Sequence, residues 1–106
     1  MNKYSDKSDF EINKAVAECK YGIGCTGKTQ GGDVIVFTDS FTAVFDPCNN
    51  PADAMPIIIE NKIDLTHLVG DMVCAKHKEY WCIRKNPYRA GCEVYLLMKD
   101  AENEKS

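Results

Sequence analysis

No run of apolar residues approaches the roughly 20 that a bilayer span requires, and the opening MNKYSDKSDF lacks the apolar stretch of a secretion signal. The 106-residue chain is therefore expected in the cytosol, away from membranes. It also lacks an excess of positive charge. Its 13 basic residues against 16 acidic ones give a formal charge of −3, which offers no global attraction to a phosphate backbone and disfavours nucleic acid as a partner. Repeats and low-complexity linkers are absent, so one domain over residues 1–106 is expected, with 100–106 as a frayed tail. Catalytic grammar is scarce too: there are two histidines, His67 and His77, and no serine stands in a nucleophile-elbow sequence. The chain is read as a non-enzyme.

Cysteine, by contrast, is plentiful, with six in the chain. A cytosolic setting keeps thiols reduced and argues against a disulfide framework. There is no C-x-x-C pair; the nearest approach to a metal cluster is Cys74, His77 and Cys82 in CAKHKEYWC, with Cys48 or Cys92 as a fourth ligand. Packing is the simpler account. Cys19 and Cys92 fall in helical apolar patterns, and Cys74 and Cys82 in strand-like ones. Neither metal nor cofactor is expected.

Residues 22–29, GIGCTGKT, satisfy the phosphate-loop pattern at every fixed position. That loop works when a buried strand leads in and a helix leaves, so that backbone N–H groups and a helix N-terminus face the phosphates. Here the flanks are of the wrong type. SDFEINKAVAECKY upstream has helical spacing, a capping box in Ser8 and Glu11, and a stop at Gly22. Downstream, Gln30-Gly31-Gly32 cannot open a helix, and DVIVFTD follows as a strand too soon for a parallel crossover, which removes Asp39 as a magnesium ligand. The motif is read as a solvated turn.

The remaining grammar predicts helices over about Asp9–Tyr21, from Pro51 behind the cap Asn50, and from Pro87 behind the cap Asn86. Pro56 should kink the second helix or begin a new turn. The third carries an apolar stripe of Ala90, Val94, Leu97, Met98 and Ala101. DVIVFTD and FTAVFD form one pair of strands, joined near Asp39-Ser40. THLVGDMVCAKH and EYWCIRKN form another, with turns at Gly70-Asp71 and Lys78-Glu79. The expected fold class is α+β, three helices on a small, mainly antiparallel sheet of about four strands.

Three stretches, SDFEINKAVAE, DPCNNPADAMPIIIENKI and NPYRAGCEVYLLMKDAENE, resemble the NinX family of small proteins of temperate phages and prophages. Lys20–Val44 shows no such likeness, and Met55 and Gly91 stand where the family pattern favours Trp and Ala. The resemblance implies a phage accessory protein from an early-expressed region, and leaves the site to be argued from residues.

Two clusters are candidates. Asp46, Asn49, Asn50 and Asp53 crowd a turn ahead of a helix; caps and dipole account for most of them, leaving Asn49 and exposed N–H groups for an anion. Lys76, His77, Lys78, Trp81, Arg84, Lys85, Tyr88 and Arg89 interleave cations with aromatics, as stacking on a base and pairing with its phosphate require. Arg89 opposes the helix dipole and needs a carboxylate or a ligand to account for it. The expected binding residues are Asn49, Asn50, Asp53, Trp81, Arg84 and Arg89. The expected function is sequestration of a small anionic, nucleotide-type ligand in the host cytoplasm, countering antiviral defence. The alternatives are a protein antagonist of a host factor and an accessory of DNA recombination or replication, with a homo-oligomer allowed.

Overall fold

Helix α3 (Pro87–Glu104) is buried without a break from Ala90 to Leu96 in a computed structural model that describes residues 2–104. A helix buried all round needs neighbours on several sides. They are α1 (Asp9–Tyr21), α2 (Pro51–Glu60) and an antiparallel sheet of β4 (Asp64–Leu68), β5 (Met72–His77) and β6 (Tyr80–Arg84). Helix α1 in turn carries a second antiparallel sheet, β1 (Thr26–Lys28), β2 (Val34–Phe37) and β3 (Thr42–Phe45). One core joins Ile12 and Val16, Val34 and Val36, Ile57 and Ile58, Ala75 and Cys82, and Val94 and Leu96. Each large aliphatic in it stabilises the fold by about 1.5–3 kcal/mol.

The α+β class and the three helices stand, but the strands number six among the described residues, in two sheets of three rather than one sheet of about four. Two local features account for the difference. THLVGDMVCAKH folds back on itself, with Gly70 at φ 82° and Asp71 at φ 61°, so that Leu68 pairs with Met72. Strand β1 lies inside the phosphate-loop look-alike, where three residues including a glycine show no alternation.

The helix boundaries follow the capping grammar. Ser8 Oγ accepts from the Glu11 N–H at 3.1 Å while Glu11 Oε1 accepts from the Ser8 N–H at 3.1 Å, and the Gly22 N–H closes the helix on the Glu18 carbonyl. Asn50 Oδ1 accepts from the Ala52 N–H to begin α2. Helix α2 runs through Pro56, so no new turn begins there. Pro56 is exposed, so water can satisfy the carbonyl whose donor it removes. Helix α3 continues to Glu104, across most of the stretch expected to fray, and residues 105 and 106 lie outside the described residues. Near its end Asp100 accepts from the Tyr4 hydroxyl at 2.5 Å and pairs with Lys3 at 3.0 Å. Among the described residues, no helix is long and apolar enough to cross a membrane.

Packing explains Cys48, Cys82 and Cys92, which are buried; it does not extend to Cys19, which is exposed on α1. Cys74 and Cys82 point to opposite faces of their sheet, because Ala75 rather than Cys74 is paired with Cys82.

Gly91 has a packing reason. A Cβ there would stand 2.7 Å from Ile58 Cδ1 and 2.8 Å from Cγ1, so glycine lets α2 approach α3 with Ile58 in place. Gly91→Ala is expected to lower stability in denaturant titrations, because overpacking costs about 1–3 kcal/mol and outweighs the roughly 1 kcal/mol of helix propensity gained. In an Ile58→Ala background the same change is expected to stabilise.

Candidate functional site

Glu93 lies in the middle of the apolar face of α3 with no solvent exposure. A buried carboxylate is tolerated when charged donors surround it. Arg84, at the end of β6, presents Nε to Oε2 and Nη2 to Oε1, both at 2.9 Å. Arg89, one turn before Glu93, donates Nε to Oε2 at 2.8 Å. Burial alone would push the Glu93 carboxyl up; hydrogen bonds and charge from the two guanidiniums overcome it and leave its pKa below the ordinary carboxylate value. The hydrogen bond to Glu93 raises the pKa of Arg84. For Arg89, burial acts downward but is outweighed by the bonds to Glu93 and Asp9.

Apart from Arg84 Nη1, which donates to the Ile83 carbonyl at 2.8 Å, the other donors of these arginines hold the start of α1 and the segment that precedes it. Arg89 Nη1 pairs with Asp9 Oδ1 at 2.7 Å, and Nη2 donates to the carbonyls of Tyr4 and Lys7 at 3.0 and 2.7 Å. Arg84 Nη2 donates to Ser5 Oγ at 3.0 Å. The charge of Arg89 at a helix N-terminus is thus accounted for by two carboxylates, Glu93 and Asp9.

Beside this network opens a cleft of about 360 Å³ lined by Asn2, Ser5, Trp81, Cys82, Ile83 and Arg84. Strand alternation puts it there. Cys82 turns into the core, so its neighbour Trp81 turns outward and keeps 58% of its surface exposed. One cleft is thus lined by an aromatic residue, an arginine and two small polar residues.

The acidic and amide cluster forms a separate turn. Asn50 caps α2 and donates to Asp53, while Asp53 accepts from the Asp46 N–H at 2.9 Å. Asn49 donates to Asp9 and Asp46 and lies 3.5 Å from Asn86 Nδ2. Asn49 therefore connects through Asp9 to Arg89, whereas Asn50 and Asp53 are spent on the helix start. None of the three lines the cleft. Sequence reasoning missed Glu93, Ser5 and Asn2. The signal for Glu93 was present, an acidic residue four positions after Arg89 inside an apolar run.

The phosphate-loop look-alike is a strand edge rather than the expected turn. Lys28 pairs with Val34 in β1–β2, no helix follows it, and its ammonium sits 5.1 Å from the centre of the Phe10 ring. A Cβ on Gly27 would stand 3.0 Å from the Phe37 ring, so the glycine serves close packing. Lys28→Ala is expected to cost no more than about 1 kcal/mol, the scale of one exposed cation–π contact, and to leave binding of ATP, measured by calorimetry, unchanged. Among the described residues, no three His, Cys, Asp or Glu side chains gather as a metal would require.

Removing one partner of a buried ion pair costs about 3–5 kcal/mol, so Glu93→Gln is expected to lower stability by that order at neutral pH. Because the folded pKa is depressed, the contribution of Glu93 is present above the ordinary carboxylate range and is lost as pH falls through the lowered value. The gap in unfolding free energy between wild type and Glu93→Gln should narrow as pH falls below the ordinary carboxylate range, about 4.3, and close once it passes the lowered folded value, as followed by urea denaturation across pH.

A family model described as Bacteriophage P22, NinX matches residues 3–99, running through Lys20–Val44 as well as the first two stretches in which the likeness is visible and the third as far as Lys99. No curated protein and no solved structure matches the chain.

Proposed function

The chain belongs to the NinX family of bacteriophage P22, and from that premise we propose that it is a non-enzymatic phage accessory protein that captures a small anionic ligand of nucleotide type in the host cytoplasm, countering an antiviral defence. The observation that carries this reading is the cleft at the edge of β6 that is lined by both the exposed Trp81 and Arg84. Its volume falls within the range of small-ligand sites, about 300–1,000 Å³. A base can stack on the indole, and a phosphoryl or carboxyl group can meet the guanidinium, with Ser5 and Asn2 supplying neutral hydrogen-bonding groups. The site residues of this reading are Trp81 and Arg84. Arg89 and Asn49 belong to the network behind it.

Trp81 is the single tryptophan of the chain, so its fluorescence reports directly on the cleft. In a panel of linear and cyclic nucleotides, one class is expected to quench that emission and to stabilise the fold by about 2.7 kcal/mol when present at 100 times its Kd. Trp81→Ala should weaken binding of that nucleotide by about 1–3 kcal/mol, the stacking contribution of one base, without lowering the thermal midpoint of the unliganded protein. A panel that leaves both emission and midpoint unmoved refutes the reading.

A second reading, a protein antagonist of a host factor, is favoured by a different observation. The outer faces of both sheets are bare, with Phe37, Val44 and Leu68 left 47%, 52% and 40% exposed. Exposed apolar surface of this kind marks protein contacts. Insensitivity to every nucleotide, combined with loss of biological effect in Phe37→Ser/Val44→Asp, would favour it.

A further inference from the structure

Resting on the small-anion reading above, we infer that residues 2–8 form a displaceable strap over a two-guanidinium anion site made by Arg84 and Arg89, suited to a diphosphate-type group whose attached ring stacks on Trp81. The two Nε atoms donate to the same oxygen of Glu93, which places the guanidiniums side by side. One buried carboxylate thus serves two cations, and the second acid of the network, Asp9, is about half exposed. Arg84 Nη1 is held by the carbonyl of Ile83, but Arg89 Nη2 and Arg84 Nη2 are turned toward neutral acceptors of the strap, the carbonyls of Tyr4 and Lys7 and the hydroxyl of Ser5. An anionic oxygen is the stronger acceptor for a guanidinium than a carbonyl or a hydroxyl. A ligand with two adjacent anionic groups can therefore exchange with the strap, gaining at each arginine a charge-assisted bond in place of a neutral one.

The strap is built so that exchange is feasible. Its internal bonds are a few turn contacts, Ser5 N–H to the Asn2 carbonyl, Lys7 N–H to the Tyr4 carbonyl and Tyr4 N–H to Asn2 Oδ1. Its far end is held by Asp100, which accepts from the Tyr4 hydroxyl and pairs with Lys3, and by the Tyr4 ring, which packs against the core. Asn2 and Ser5 also line the cleft that holds Trp81, so movement of the strap enlarges that cleft toward Arg89. Guanidiniums aimed at backbone carbonyls a few residues from an exposed indole would otherwise be an expensive way to fix a surface segment.

The test loosens the anchor without touching either arginine or Trp81. In calorimetric titrations of the full chain with inorganic pyrophosphate and with ADP, Tyr4→Phe is expected to bind both about tenfold more tightly than wild type, the effect of losing one hydrogen bond to a charged group from the competing state. Asp100→Asn, which weakens the same anchor from α3, should act in the same direction and guards against a folding defect peculiar to one variant. AMP should gain less than ADP, because one phosphate cannot engage both guanidiniums. Saturating ADP should also speed hydrogen exchange at the Ser5 and Lys7 amides of wild type. Equal affinity in wild type and both loosened variants would overturn the strap while leaving the cleft reading intact. Weaker binding in the loosened variants would overturn it too, making the segment part of the site. No binding of either probe by any of the three proteins would overturn the strap and, together with a silent nucleotide panel, the cleft reading as well.

Discussion

A carboxylate with no solvent exposure, set in the apolar face of the central helix, is the constraint to which most of the architecture answers. Glu93 can be ionised inside the protein because Arg84 and Arg89 reach it from β6 and from the preceding turn of α3. Each arginine then has donors to spare, and these fasten Ser5, the carbonyls of Tyr4 and Lys7, and Asp9 at the start of α1. One buried acid thereby relates the sheet, α3, the N-terminal segment and α1. Such charges add little net stability over a well-packed apolar group, since desolvation consumes much of what the pairs gain. What the charges contribute is arrangement: a guanidinium fork accepts few geometries, and two forks on one carboxylate accept fewer.

The helices lie at the centre and the sheets outside, each covered on one face. Strand alternation then decides which side chains meet solvent. On β6, Cys82 turns into the core and Trp81 turns out, held on a strand with partners on one side that ends at Arg84. A rigid strand presents an aromatic ring with less loss of side-chain and backbone freedom than a loop would. The same alternation leaves Phe37 and Val44 uncovered on the other sheet. The cleft beside Trp81 and these bare faces are thus consequences of one layered design.

The conspicuous polar motifs of the sequence turned out to be occupied. The turn from Asp46 to Asn50 knits α1 to α2 through Asn13, whose amide donates to Asp46 and whose oxygen accepts from the Cys48 N–H. Asn86 adds α3 by donating to the Cys48 carbonyl at 2.6 Å. Three helix starts share one knot of side-chain amides and carboxylates. Polar residues in such a knot satisfy the orphan N–H groups and carbonyls that converging helix ends and turns would otherwise bury. They look like a site in sequence because capping and ligand binding draw on the same residue types.

Local chemistry determined the helix starts at Ser8, Asn50 and Asn86, the hairpin turns at Gly70-Asp71 and Lys78-Glu79, the α+β class and the lack of a helix leaving GIGCTGKT. Each of these depends on neighbours within a few residues, through a cap, a turn or a period. Tertiary structure alone decided that the strands divide into two sheets and that Pro56 is tolerated within α2. It also set Glu93 between two arginines, and put residues 2–8 beside Trp81 and Arg84. Those outcomes join positions up to 96 residues apart, as in the Tyr4–Asp100 bond. A carboxylate buried beside one guanidinium and a carboxylate exposed on a helix share the same spacing from Arg89; desolvation separates them, and it is set by the elements packed around α3.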